Sequence, residues 1–157
     1  MTNETPVTPE GVRVPPPPAA VTVNAVVLHS ASFETIGSMP VAGDERHMET
    51  TFELSTSWTE EGLLGVQFGL AVEIKETCNA NIVFRGYFRR PDGQEPKARE
   101  DPFWQTVAAR LAPTMIYPYI RETFTSLALK AGAPTTLILP VINVGAIWKP
   151  DEVVITP

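Results

Sequence analysis

Two stretches of strict alternation, residues 47–58 and 63–76, constrain the fold more than anything else in the chain. Side chains on a strand point to opposite faces with a period of two. In the first stretch Met48, Thr50, Phe52, Leu54, Thr56 and Trp58 share one face, and Glu49, Thr51, Glu53, Ser55 and Ser57 share the other. In the second, Leu64, Val66, Phe68, Leu70, Val72 and Ile74 point one way, and Gln67, Glu73 and Lys75 the other. One apolar face and one wet face mark half-buried antiparallel strands. The turn Glu60-Glu61-Gly62 joins them. Residues 79–90 predict a further strand, with Ala80, Ile82, Phe84 and Phe88 inward and Asn79, Asn81, Arg85 and Arg89 outward. The short connections imply an antiparallel meander. Residues 21–36, rich in Val, Thr, Ala and Ser, predict a strand ahead of it, and Gly37, Pro40 and Gly43 mark the loop between.

A polar loop over 91–101 leads to a helix start, with Asp101 as N-cap and Pro102 at the first helical position. Pro113 and Pro118 each kink the helix or begin a new turn. From Pro118 to Lys130 the spacing is helical, with Ile120, Phe124, Leu127, Ala128 and Ala131 in one apolar stripe. Gly132 and Pro134 end it. Residues 135–148 are apolar but broken by Pro140 and Gly145, and Pro150 limits any helix near the end. The expected fold is α+β: a four-stranded antiparallel sheet, then a long kinked helix packed on one face, an apolar loop and a short C-terminal helix.

A chain of 157 residues and 17.2 kDa fits one domain with a tail. Residues 1–20 hold the run Pro15-Pro16-Pro17-Pro18 and read as a disordered proline-rich leader; a ligand for a proline-recognition domain is the sharper alternative. Residues 21–149 form the domain and 150–157 the C-terminal tail. The start, Met1-Thr2-Asn3-Glu4-Thr5, lacks the basic and apolar regions of a secretory signal, and no apolar stretch is long enough for a membrane span. Twelve basic against 18 acidic residues give a net charge of −6, which disfavours nucleic acid and anionic membranes as partners. Cys78 is the single cysteine, so the expected compartment is the reducing cytoplasm.

Signatures of catalysis are missing from this pattern. There is no G-x-S-x-G, P-loop, G-x-G-x-x-G, H-E-x-x-H or C-x-x-C. His29 and His47 each read as plain strand residues. No cationic cluster surrounds Cys78 in sequence, so it reads as an inert thiol. Glu60 and Glu61 read as a solvated pair, and Glu122 beside Arg121 as an ion-pair member. No cofactor or metal is expected. What stands out is apolar surplus: Leu137, Ile138, Leu139, Val141, Ile142, Val144, Ile147 and Trp148 crowd one segment. Either it caps the core or it binds apolar segments or another subunit.

The run Ile116-Tyr117-Pro118-Tyr119-Ile120-Arg121-Glu122, then Gly132-Ala133-Pro134, then Leu139-Pro140-Val141 with Asn143, resembles the SecB export chaperones. Ser32-Phe33-Glu34 is similar to the end of that family's first strand, and the resemblance covers residues 22–148. It implies a cytoplasmic, ATP-independent, non-catalytic chaperone, a homotetramer built as a dimer of dimers, with apolar grooves for unfolded preproteins and delivery to the motor SecA. On this reading client contact falls to Met39, Leu137, Leu139, Val141, Val144, Ile147 and Trp148, and subunit packing to Tyr119, Ile120, Phe124 and Leu127. The family's acidic docking patch for SecA would correspond to Glu34, with Glu49, Glu53 and Glu73 on outward positions. The patch is diluted, because Ser30 and Asn81 stand where the family has acids. Some SecB-like proteins instead hold an antitoxin of a toxin–antitoxin system, and their helix motif is matched from Tyr117 to Glu122. Two rivals remain: a hot-dog-like small-molecule enzyme, which usually places its long helix before most strands, and a plain interaction module.

Overall fold

The computed structural model describes residues 21–41, 46–89, 101–135 and 137–156. The proline-rich leader lies outside the described residues, as do Gly43 and most of the 91–101 loop.

Four strands form one antiparallel sheet: β1 (Thr22–Thr35), β2 (Met48–Trp58), β3 (Leu64–Ile74) and β4 (Cys78–Arg89). Their order is β1-β4-β3-β2. The meander β2-β3-β4 is as expected, and β1 returns to pair with β4 at the far side. Two register shifts in β1, between Val23 and Ala25 and between Leu28 and Ser30, break its alternation. The loop after β1 is pinned to the β3–β4 turn. Ile36 and Gly37 both donate main-chain N–H to the Thr77 carbonyl, at 2.8 and 3.2 Å. A Cβ at Gly37 would lie 2.2 Å from the Glu76 carbonyl oxygen, so only glycine fits that approach. Arg46 Nη1 donates to the Ser38 carbonyl at 2.9 Å and to the Thr77 hydroxyl.

The helical run begins where Asp101 and Pro102 predict. The Asp101 carboxylate accepts from the Phe103 N–H at 3.0 Å. It runs through α1 (Pro102–Thr106), a π-helical turn (Val107–Leu111) and α2 (Ala112–Lys130). The wider π turn falls immediately ahead of Pro113, whose ring would otherwise crowd the carbonyl four residues back. Pro118 lies inside α2 without ending it. At the C-terminus Gly132 takes φ +85. Ala133 N–H bonds the Ala128 carbonyl at 2.9 Å and Gly132 N–H the Leu129 carbonyl at 3.0 Å, closing the helix in a Schellman motif.

The helix packs on the apolar face of the sheet. Leu64, Val66, Phe68, Leu70, Val72 and Ile74 of β3 are all buried, as are Ile82 and Phe88 of β4. Against them lie Trp104, Ile116, Ile120, Phe124 and Ala128. The expected short C-terminal helix is two single 3-10 turns, Val144–Ala146 and Pro150–Glu152.

Candidate functional site

The apolar segment after the helix is held by two side chains one helical turn apart. The Tyr117 hydroxyl donates to the Pro140 carbonyl at 2.7 Å, and Arg121 Nε donates to the Leu139 carbonyl at 3.2 Å. Burial pushes the Tyr117 phenol up, partly offset by the Arg121 charge, so it remains a donor. Clamped in this way, the segment divides its apolar side chains between core and surface.

Seven residues were expected to meet a client. Leu139 and Val144 are buried in the chain's own core. A side chain with no exposed area can support a groove but cannot touch what lies in it. Met39, Leu137 and Trp148 are half-buried against the core. Val141 is 83% exposed and Ile147 42% exposed. Ile138, at 52%, joins Pro118, Arg121, Glu122, Thr125, Ser126 and Leu129 in a shallow groove along α2.

Sequence reasoning missed a second apolar strip, the open edge of β2. Thr56 and Trp58 turn main-chain groups away from β3, so the alternate positions Met48, Thr50, Phe52 and Leu54 do the same. Among the described residues, the main-chain groups of these four find no partner on that side. Met48, Phe52 and Leu54 are half-buried there. Phe52 stacks on Phe68 at 5.8 Å, and Phe68 meets Trp148 edge-on at 5.7 Å. An open strand edge is thus flanked by aromatic and aliphatic side chains. The alternation put these residues inward, yet only the strand order reveals that β2 is an edge.

For the expected subunit contacts, Ile120 and Phe124 are wholly buried against the sheet of the same chain, with Phe124 5.9 Å from Phe33. Within this chain the sheet covers both side chains. Leu127 is half-buried and Tyr119 is 46% exposed. Tyr119 sits 5.9 Å from Phe84, whose cross-strand partner on β1 is Leu28, itself half-exposed.

The wet face of the sheet carries the acidic side chains. Register places Glu34, Asn79, Glu73 and Glu49 in one row across all four strands. They line a shallow depression with Ser32, Thr51 and Asn81. Glu53 lies on the same face, four residues along β2, opposite Gly69. Glu49 and Glu73 face each other directly, an arrangement that costs stability within a sheet. Cys78 is buried on the inner face, and desolvation raises its thiol, favouring the protonated form.

No family model matches the chain, and no curated protein matches it. Among solved structures, it is similar to the Mycobacterium tuberculosis SecB-like chaperone Rv1957 in complex with a ChAD peptide from the Rv1956 HigA1 antitoxin. That match has a TM-score of 0.65 and 16% identity, and covers 78% of this chain and 90% of the other. The two chains share a fold, as the helix motif and the succession of four strands, long helix and apolar connection along the chain led us to expect.

Proposed function

We propose that this protein is an ATP-independent chaperone that binds unfolded or non-native polypeptides in extended form. The observation that carries the reading is the open β2 edge lined by Met48, Phe52 and Leu54, beside the exposed apolar side chains of residues 138–147. Main-chain pairing and non-directional apolar contact accept many sequences without nucleotide or catalysis. Among clients, an antitoxin is favoured, because the structural neighbour holds an antitoxin peptide. A sub-stoichiometric amount should leave, and an equimolar amount should slow, the refolding of a slow-folding client, with ATP making no difference. Co-production should raise the soluble yield of an aggregation-prone antitoxin. Unchanged refolding at several-fold excess would remove the chaperone reading.

Delivery to SecA for export is the second reading, supported by the acidic row Glu34, Glu73 and Glu49, with Glu53 on the same face. A cytoplasmic location fits either route. Among the described residues no helix is long and apolar enough to cross a membrane.

The homotetramer belongs to the same proposal. β1 offers an open edge with Val27 and Leu28 about half exposed, and Met115 and Tyr119 face outward from α2 beside it. Light scattering should give four times the 17.2 kDa chain mass. Tyr119→Asp should lower that mass while preserving the circular dichroism spectrum, because this ring is exposed. A monomer across micromolar concentrations would end the tetramer reading.

A further inference from the structure

Residues 153–156 form an extended segment held against the β2 edge by a single bridge. Val153 and Ile155 turn inward and are buried, while Val154 and Thr156 are exposed. Ser57 and Thr156 pair in parallel. Thr156 N–H donates to the Thr56 carbonyl at 3.2 Å, and Trp58 N–H donates to the Thr156 carbonyl at 3.1 Å. Two side chains add to this hold. The Thr56 hydroxyl donates to the Val154 carbonyl at 3.0 Å, and Gln105 Nε2 donates to the Val153 carbonyl at 2.9 Å.

None of these contacts reads the identity of a side chain beyond apolar at alternate positions. They would hold any extended segment of that pattern. The segment also occupies the same edge of β2 that stands open from Met48 to Leu54. It hangs from one 3-10 turn, Pro150–Glu152, that has no buried residues. At its base Trp104 is 1% exposed and packs edge-on against Trp58 at 5.3 Å. Its indole N–H has no acceptor among the described residues, so a buried donor is left spare beside the slot.

We propose that residues 153–156 are a built-in competitor for the β2 edge, a strap that an extended apolar segment of a client displaces in order to pair along β2 from Trp58 toward Met48. The proposal rests on the client-binding reading above. When the protein is empty, the strap covers part of an edge that would otherwise recruit other chains. When a client is present, only a segment that outcompetes the Thr156 bridge, the two side-chain bonds to Val153 and Val154 and the buried Val153 and Ile155 takes its place, so the strap sets a threshold in favour of longer unfolded stretches.

The test is amide hydrogen exchange of the full chain, with and without saturating reduced, carboxymethylated α-lactalbumin as an unfolded client. Thr156 N–H should exchange about tenfold faster or more in the complex, while Trp58 N–H stays protected by its new partner. Failure of the client to bind at all removes the chaperone reading. Binding with Thr156 unchanged overturns the strap alone. Ile155→Val removes one methylene from the strap's buried side chain and weakens its seat on the core, so client affinity should rise about two- to tenfold. Equal or lower affinity in the folded variant also overturns it.

Discussion

Replacing Phe124 by Asp should leave no folded chain to assay. Phe124 is fully buried in the core, with its ring beside Phe33 and its helix face against the sheet. Losing a buried ring costs about 3–5 kcal/mol. A carboxylate with no partner in that position costs several kcal/mol more. The sum reaches the whole stability of an ordinary domain, about 5–15 kcal/mol. Circular dichroism should show loss of the helical signal and of a cooperative thermal transition. Tyr119→Asp is the comparison: the same charge on the exposed side of the same helix should keep both. If Phe124→Asp instead yields a folded chain of lower mass, the ring lies between subunits and the packing described above is wrong.

That contrast marks how far the sequence was legible. The stripe Ile120, Phe124 and Leu127 identifies which side of α2 is buried, because apolar spacing follows the helical period. It does not identify what buries it, since a sheet of the same chain and a helix of a partner demand the same residue types. The even positions of β3 were legible for a stronger reason: a central strand is covered by neighbours on both edges and by the helix, so its alternation is unbroken. β1 was legible as a strand but not in its pairing with β4. Its bulges near Asn24 and His29 shift side chains between faces, and the choice of neighbour depends on contacts more than 40 residues away.

The same limit governs the candidate site. Tyr117 and Arg121 were recognisable as part of a motif, but their work, holding the Pro140 and Leu139 carbonyls, needs the segment laid across the helix. Leu139 and Val141 differ by two positions and by nearly the full range of exposure. In a segment with neither helical nor strand period, composition cannot separate the two. Val153-Val154-Ile155-Thr156 did carry a signal, a β-branched run with apolar alternate positions. Its place behind Pro150 made it read as a tail, and only the open edge of β2 gives it a partner.

Ile138→Ser combined with Val141→Ser should weaken binding of an unfolded client about tenfold or more. Both side chains are more than half exposed, so neither substitution opens a cavity in the core. Burying each on a client would contribute about 1.5–3 kcal/mol before ordering costs are subtracted. A net 1.4 kcal/mol is one decade of affinity, and two such side chains leave that margin after ordering losses. The thermal midpoint should stay within a few degrees of the wild type. Leu139→Ser, aimed at the buried neighbour, should instead lower it sharply, because it removes core packing and leaves a hydroxyl in an apolar site. Glu34→Gln on the wet face of the sheet should leave client affinity unchanged, since that face is separated from the apolar segment by the sheet itself. A folded double variant that slows client refolding as the wild type does would place the contact away from residues 138–141, leaving the β2 edge to carry it.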